Sequence, residues 1–131
     1  MQEQIEKEPL VKEGELPIFT KWLDFVKWLF PMTDKLPKKV RFSITNRMNN
    51  LALDIVEDLI DARYSRERYQ ILRSTNLKLE KIRVLIRLCL EQQFIAHSTY
   101  RFAVKNINDT GKMLGGWKNS LTNPEKKNRG L

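Results

Sequence analysis

The tightest constraint on this chain is a run of apolar residues in its first half. Val40, Ile44, Met48, Leu51, Ile55 and Leu59 recur at spacings of 4, 4, 3, 4 and 4. An α-helix places such a series on one face, whereas a strand would scatter it over both. The spacing predicts a helix from about Lys38 to Arg63, and its apolar face needs other helices to cover it.

Three further segments supply that cover. The first runs from Pro17 to about Lys35. Pro17 suits a first helical turn, where the missing N–H costs nothing. Pro31 is expected to kink this helix or end it early, and Leu36-Pro37 marks the turn. The next segment begins near Ser65 and reaches about Phe94, with Leu72, Leu79, Ile82, Ile86 and Cys89 as its core stripe. The last starts near Ser98 as N-cap. It carries Tyr100, Val104, Ile107, Gly111 and Leu114 on one face and is expected to stop around Gly115-Gly116. Connections at Leu36-Pro37, Tyr64-Ser65 and Ala96-His97 are short, which makes sequential helices antiparallel neighbours. The expectation is an all-α, up-down-up-down four-helix bundle over residues 16–119. A disordered acidic leader (1–15) precedes it and a disordered basic tail (120–131) follows.

Composition removes several alternatives. A lone Cys89 excludes an intrachain disulfide framework, and a lone His97 excludes a multi-histidine metal site within the chain. Cys89 falls on a core stripe and reads as packing, while His97 falls at a connection and reads as a surface or capping residue. The N-terminus lacks the apolar region of a secretory signal. No segment has the roughly 18 apolar residues of a membrane span. The longest apolar stretch, Trp22 to Met32, is broken by Asp24 and Lys27. The protein is expected to be soluble and cytoplasmic, with no membrane partner.

The third segment carries more apolar surface than a bundle helix needs. Leu77, Val84, Leu88 and Ile95 lie within about 40° of one another, away from the core stripe. This second stripe points to self-association through the third segment, helped by a first segment similarly over-supplied with apolar residues, with the alternative that the third helix is simply the most central one. Between the stripes lie Arg83 and Arg87, four apart. They can reach a partner, or can pair along the helix with Glu80 and Glu91.

Charge gives a second pointer. Lys and Arg number 24 against 16 Asp and Glu, a net charge of +8. Residues 1–15 hold five acids and two bases, so the remaining chain is at +11. Basic residues gather at the first turn (Lys35, Lys38, Lys39, Arg41) and at the second (Arg63, Arg66, Arg68, Arg73). Lys78, Lys81, Arg83 and Arg87 follow on the third segment, and Lys105, Lys112 and Lys118 on the fourth. In an antiparallel bundle the two turns lie at opposite ends. Distributed charge of this kind suits contacts to a phosphate backbone without base reading. The alternative is a solvated surface that keeps the protein soluble.

Asp54, Glu57, Asp58 and Asp61 cluster on the second helix and could hold magnesium, as in all-α nucleotide pyrophosphohydrolases. The facing segment offers Lys81 and Arg83 around Glu80, so pairing with cations is the better expectation. No glycine-rich phosphate loop, nucleophile elbow or catalytic triad is present, and no catalytic residue, metal or cofactor is assigned.

The runs LPIFTKWLDFVKWLFPMTDKLPKKVRF, LDIVEDLIDARYSR and NLKLEKIRVLIRL, closed by GKMLGGW, resemble the four-helix-bundle proteins that include those encoded in ribosomal RNA intervening sequences. Within them the match is to the accessory variability proteins of diversity-generating retroelements, over about residues 16–119. The resemblance implies a non-enzymatic bundle that forms a five-subunit barrel with a basic surface. It also implies binding to a reverse transcriptase and to nucleic acid, RNA template and complementary DNA, in support of mutagenic complementary-DNA synthesis. Arg83 and Arg87 look like basic positions of that family's third helix. A bundle protein of the intervening-sequence type, with no polymerase partner, is the alternative.

Overall fold

The computed structural model describes residues 16–122. The leader lies outside the described residues, as does all of the tail beyond Thr122. Four helices make up the described chain, and it contains no strand: α1 (Pro17–Asp34), α2 (Asn46–Tyr64), α3 (Arg68–Glu91) and α4 (His97–Thr122).

Cross-helix contacts fix the directions. Trp22 of α1 meets Ala52 of α2, and Thr33, further along α1, meets Asn49, earlier on α2. Asp58 of α2 meets Lys78 of α3. Arg83 of α3 bonds Asn108 of α4, while Lys21 and Trp28 of α1 reach Asp109 and Phe102 of α4. Each helix therefore runs against its neighbours in an up-down-up-down ring. The shared core holds Trp22, Phe25 and Leu29 of α1, Met48, Ile55 and Leu59 of α2, Ile107 and Leu114 of α4, and the five-residue stripe expected on α3. Burial of each large apolar side chain contributes about 1.5–3 kcal/mol. Trp22 is fully buried, and its indole N–H donates to the Ala52 carbonyl at 3.0 Å, so its one polar atom keeps a partner.

Several boundaries differ from the sequence reading, each for a physical reason. Pro31 lies on the exposed side of α1, and the helix continues one turn past it to Asp34. The carbonyl that the proline cannot serve is thus near solvent. Residues 38–45 are helical but not α: Lys38–Val40 is a 3-10 turn and Arg41–Thr45 a π-turn. Apolar residues four apart drift by about 40° per step on an α-helix. The wider π-turn limits that drift, and Val40 and Ile44 still pack against the core.

At the other end of α3, the helix stops at Glu91 rather than near Phe94. Gln93 adopts φ 62°. The Phe94 N–H bonds the Cys89 carbonyl and the Gln93 N–H bonds the Leu90 carbonyl. This is a Schellman closure made without glycine, and it removes Ile95 from the helical stripe. Ile95 lies in the connection, partly buried against the core. Ser98 is inside α4, and the residue preceding the helix is Ala96. Nor do Gly115 and Gly116 end α4, which reaches Thr122 because Trp117 and Leu121 continue its packing onto the core.

Candidate nucleic-acid and partner interface

The outward stripe of α3 is present where the helix continues. Leu77, Val84 and Leu88 are 56%, 51% and 38% exposed. Lys81 shares their side of the helix and is also exposed. On α2, Leu53 and Ile60, each 44% exposed, and Tyr64 are further exposed apolar side chains. Sequence reasoning missed these three. Their spacing of 7 and 4 was the available signal, masked by the stronger core stripe on the same helix. Between α2 and α3 runs a groove of about 600 Å³ whose walls include Leu51, Asp54, Glu80, Lys81, Val84 and Leu85. Phe42, in the π-turn, is 86% exposed, also without having been singled out from the sequence.

The candidate basic residues divide by what already engages them. Arg68 is committed: its guanidinium donates to the Ala62 carbonyl at 2.5 Å and to the Arg63 carbonyl at 2.9 Å, closing the C-terminal end of α2. Lys78 is paired with Asp58 at 2.7 Å. Arg83 pairs with Glu80 and bonds Asn108 at 3.0 Å. Arg87 pairs with Glu91 at 2.9 Å, which raises its already high pKa. The pairing along the helix that the sequence allowed is thus present for both arginines, and Asn108 adds a partner from α4. Lys105 bonds Asp109 at 2.9 Å. That hydrogen bond, reinforced by Lys105, Lys21 and Lys112 charge against partial burial, holds the Asp109 carboxyl below its usual range. Arg63 lies over the Tyr64 ring and Lys39 over the Phe94 ring, at 5.6 and 5.7 Å.

Lys38, Arg41, Arg66, Arg73, Lys81 and Lys112 are exposed, and their side chains form no hydrogen bond or ion pair among the described residues. Lys38 and Arg41 stand at one end of the bundle, Arg66 and Arg73 at the other, and Lys81 between them on α3. The structure does not bring the basic residues into one patch. It spreads them over both ends and along α3 and α4, as the antiparallel topology requires.

Of the α2 carboxylates, Asp58 is drawn into structural pairing. Asp58 accepts from Lys78 and lies 3.0 Å from the Thr75 hydroxyl. Among the described residues no three His, Cys, Asp or Glu side chains are placed to hold a metal ion together. Cys89 is buried in the core, which pushes its thiol up to about 11, and His97 is exposed. Among the described residues no helix is long and apolar enough to cross a membrane.

No curated protein and no solved structure gives a match to the chain. A family model described as bAvd-like does, and it spans residues 17–121, from the first residue of α1 to the penultimate residue of α4. The four-helix body and the extent of that match agree, and the chain belongs to the bAvd-like family of accessory variability proteins.

Proposed function

We propose that this chain is a non-enzymatic accessory protein of a diversity-generating retroelement. In this reading it binds the element's reverse transcriptase together with RNA template and complementary DNA, and so supports mutagenic complementary-DNA synthesis. The observation that carries the proposal is the family match over all four helices. The unpaired cations support the nucleic-acid part. Lys38, Arg41, Arg66, Arg73, Lys81 and Lys112 can each take a backbone phosphate without breaking an internal pair. Arg83 and Arg87 are proposed as partner contacts that exchange their Glu80 and Glu91 pairs for an acidic or phosphate group. The protein acts in the cytoplasm.

The proposal includes a closed homo-oligomer, five subunits by the family resemblance, joined through Leu77, Val84 and Leu88. Each of these half-exposed side chains would gain about 1 kcal/mol on full burial. Ile95 is left out of the interface because it already packs on its own core. The test is co-purification with a reverse transcriptase of a diversity-generating retroelement. Tagged protein is expected to retain the polymerase at moderate salt, and separate elution of the two under all conditions would overturn the proposal.

A further inference from the structure

The end of the bundle where α1 leaves and α4 begins holds a cleft of about 470 Å³ that none of the roles above uses. Its size is that of a small-molecule site. Its walls include Trp28 and Lys35, from α1 and its end, and Phe94 and Thr99, from the α3–α4 connection and the first turn of α4. Lys27 and Pro31 complete the α1 side, and no acidic side chain lines it.

Two properties make this more than a crevice. The aromatic wall is held in place: the Trp28 ring packs against Phe25 at 5.6 Å and against Phe102 at 4.7 Å. The rim is cationic: Lys35 is exposed and has no ion pair among the described residues, and Lys39 stands over the Phe94 ring. Lys27 pairs only loosely with Asp24, at 3.8 Å and with both side chains more than two-thirds exposed. A flat apolar group with an adjacent negative charge satisfies both properties. A nucleobase with its phosphate is such a group, whereas a duplex, whose bases are stacked inside, presents only the charge.

We propose that this cleft takes one unstacked base of a single-stranded nucleic acid against Trp28 and Phe94, with the flanking phosphates on Lys27, Lys35 and Lys39. The proposal rests on the reading that the protein binds nucleic acid. It adds a base-dependent contact to what is otherwise backbone attraction.

The test uses two probes of matched charge: a short oligo(dT) strand and inorganic polyphosphate, which has no bases. The full chain is expected to bind the strand roughly ten- to hundredfold more tightly than polyphosphate. Trp28→Leu is expected to remove that preference while leaving polyphosphate affinity and helical circular dichroism unchanged. Because Trp28 also packs on the core, a second measurement uses the unaltered protein: ultraviolet cross-linking to oligo(dT), with the linked residues mapped by mass spectrometry. Cross-links at Trp28 or Phe94 are expected, and cross-links confined to other residues overturn the proposal. Equal affinity for the two probes removes the base pocket but leaves backbone binding standing. Failure of both probes to bind overturns the nucleic-acid reading itself. Loss of reverse-transcriptase capture by Trp28→Leu, with strand affinity intact, would assign the cleft to a protein side chain and overturn the proposal.

Discussion

Cys89 shows how far one side chain's environment sets its chemistry. It has no exposed surface and packs in the common core, and burial pushes its thiol up to about 11. The unfolded chain would ionise at about 8.5. Below that value both states hold the proton and the thiol's contribution to stability is complete. As pH rises toward 11 the unfolded state ionises first, so the contribution is lost. Urea unfolding at pH 8 and pH 10 is expected to show wild type losing about 1–2 kcal/mol relative to Cys89→Ala over that interval. An unchanged difference between the two proteins would mean that the folded thiol is accessible to solvent. The burial of Cys89 was legible in its place on the 3- and 4-residue stripe of α3. The partners of the charged residues were not. Whether Arg68 meets a phosphate or the end of α2 depends on the turn between two helices, and no periodicity encodes that.

At the scale of single helices, the ends were harder to read than the faces. The core stripe of α3 followed from spacing alone, because burying it outweighs any local preference. The ends depend on smaller terms. Glycine costs a helix interior about 1 kcal/mol relative to alanine, so Gly115-Gly116 reads as a stop. Packing of Trp117 and Leu121 overrides it. A Cβ added at Gly116 meets nothing within 4 Å, and the residue is exposed. Gly116→Ala is therefore expected to raise stability by about 0.5–1 kcal/mol, read as a higher thermal midpoint. A lower midpoint would show that this glycine is needed for something other than helix continuity. The end of α2 supplies the opposite case. Arg68→Ala leaves two helix-terminal carbonyls without their donor and is expected to cost about 1–2 kcal/mol in urea unfolding. Its affinity for nucleic acid is expected to stay at the wild-type value, since this arginine is already engaged. A large drop in affinity with unchanged stability would reverse that assignment.

The described bundle has two kinds of surface to spare: an apolar stripe on α3, and cations with no side-chain partner at both ends and along α3 and α4. The α3 stripe was visible in the sequence as a second periodicity. The exposed α2 residues were masked by the stronger core stripe of their own helix, and the terminal cleft was not visible because it arises where separate helices meet. If the apolar face joins subunits, wild type is expected to be a closed oligomer at micromolar concentration by light scattering. Val84→Glu with Leu88→Glu is expected to give monomers of unchanged helicity, since both side chains point away from the core. A monomeric wild type would leave the face without that role. The central claim, that the protein assists a polymerase, is tested most directly by complementary-DNA synthesis. The measurement is product yield from the retroelement's reverse transcriptase and its RNA template, with and without this protein. Synthesis that depends on the protein, is restored by adding it back, and falls when Lys38, Arg41, Arg66 and Arg73 are replaced by alanine is the expected result. Equal yield in its absence would contradict the account.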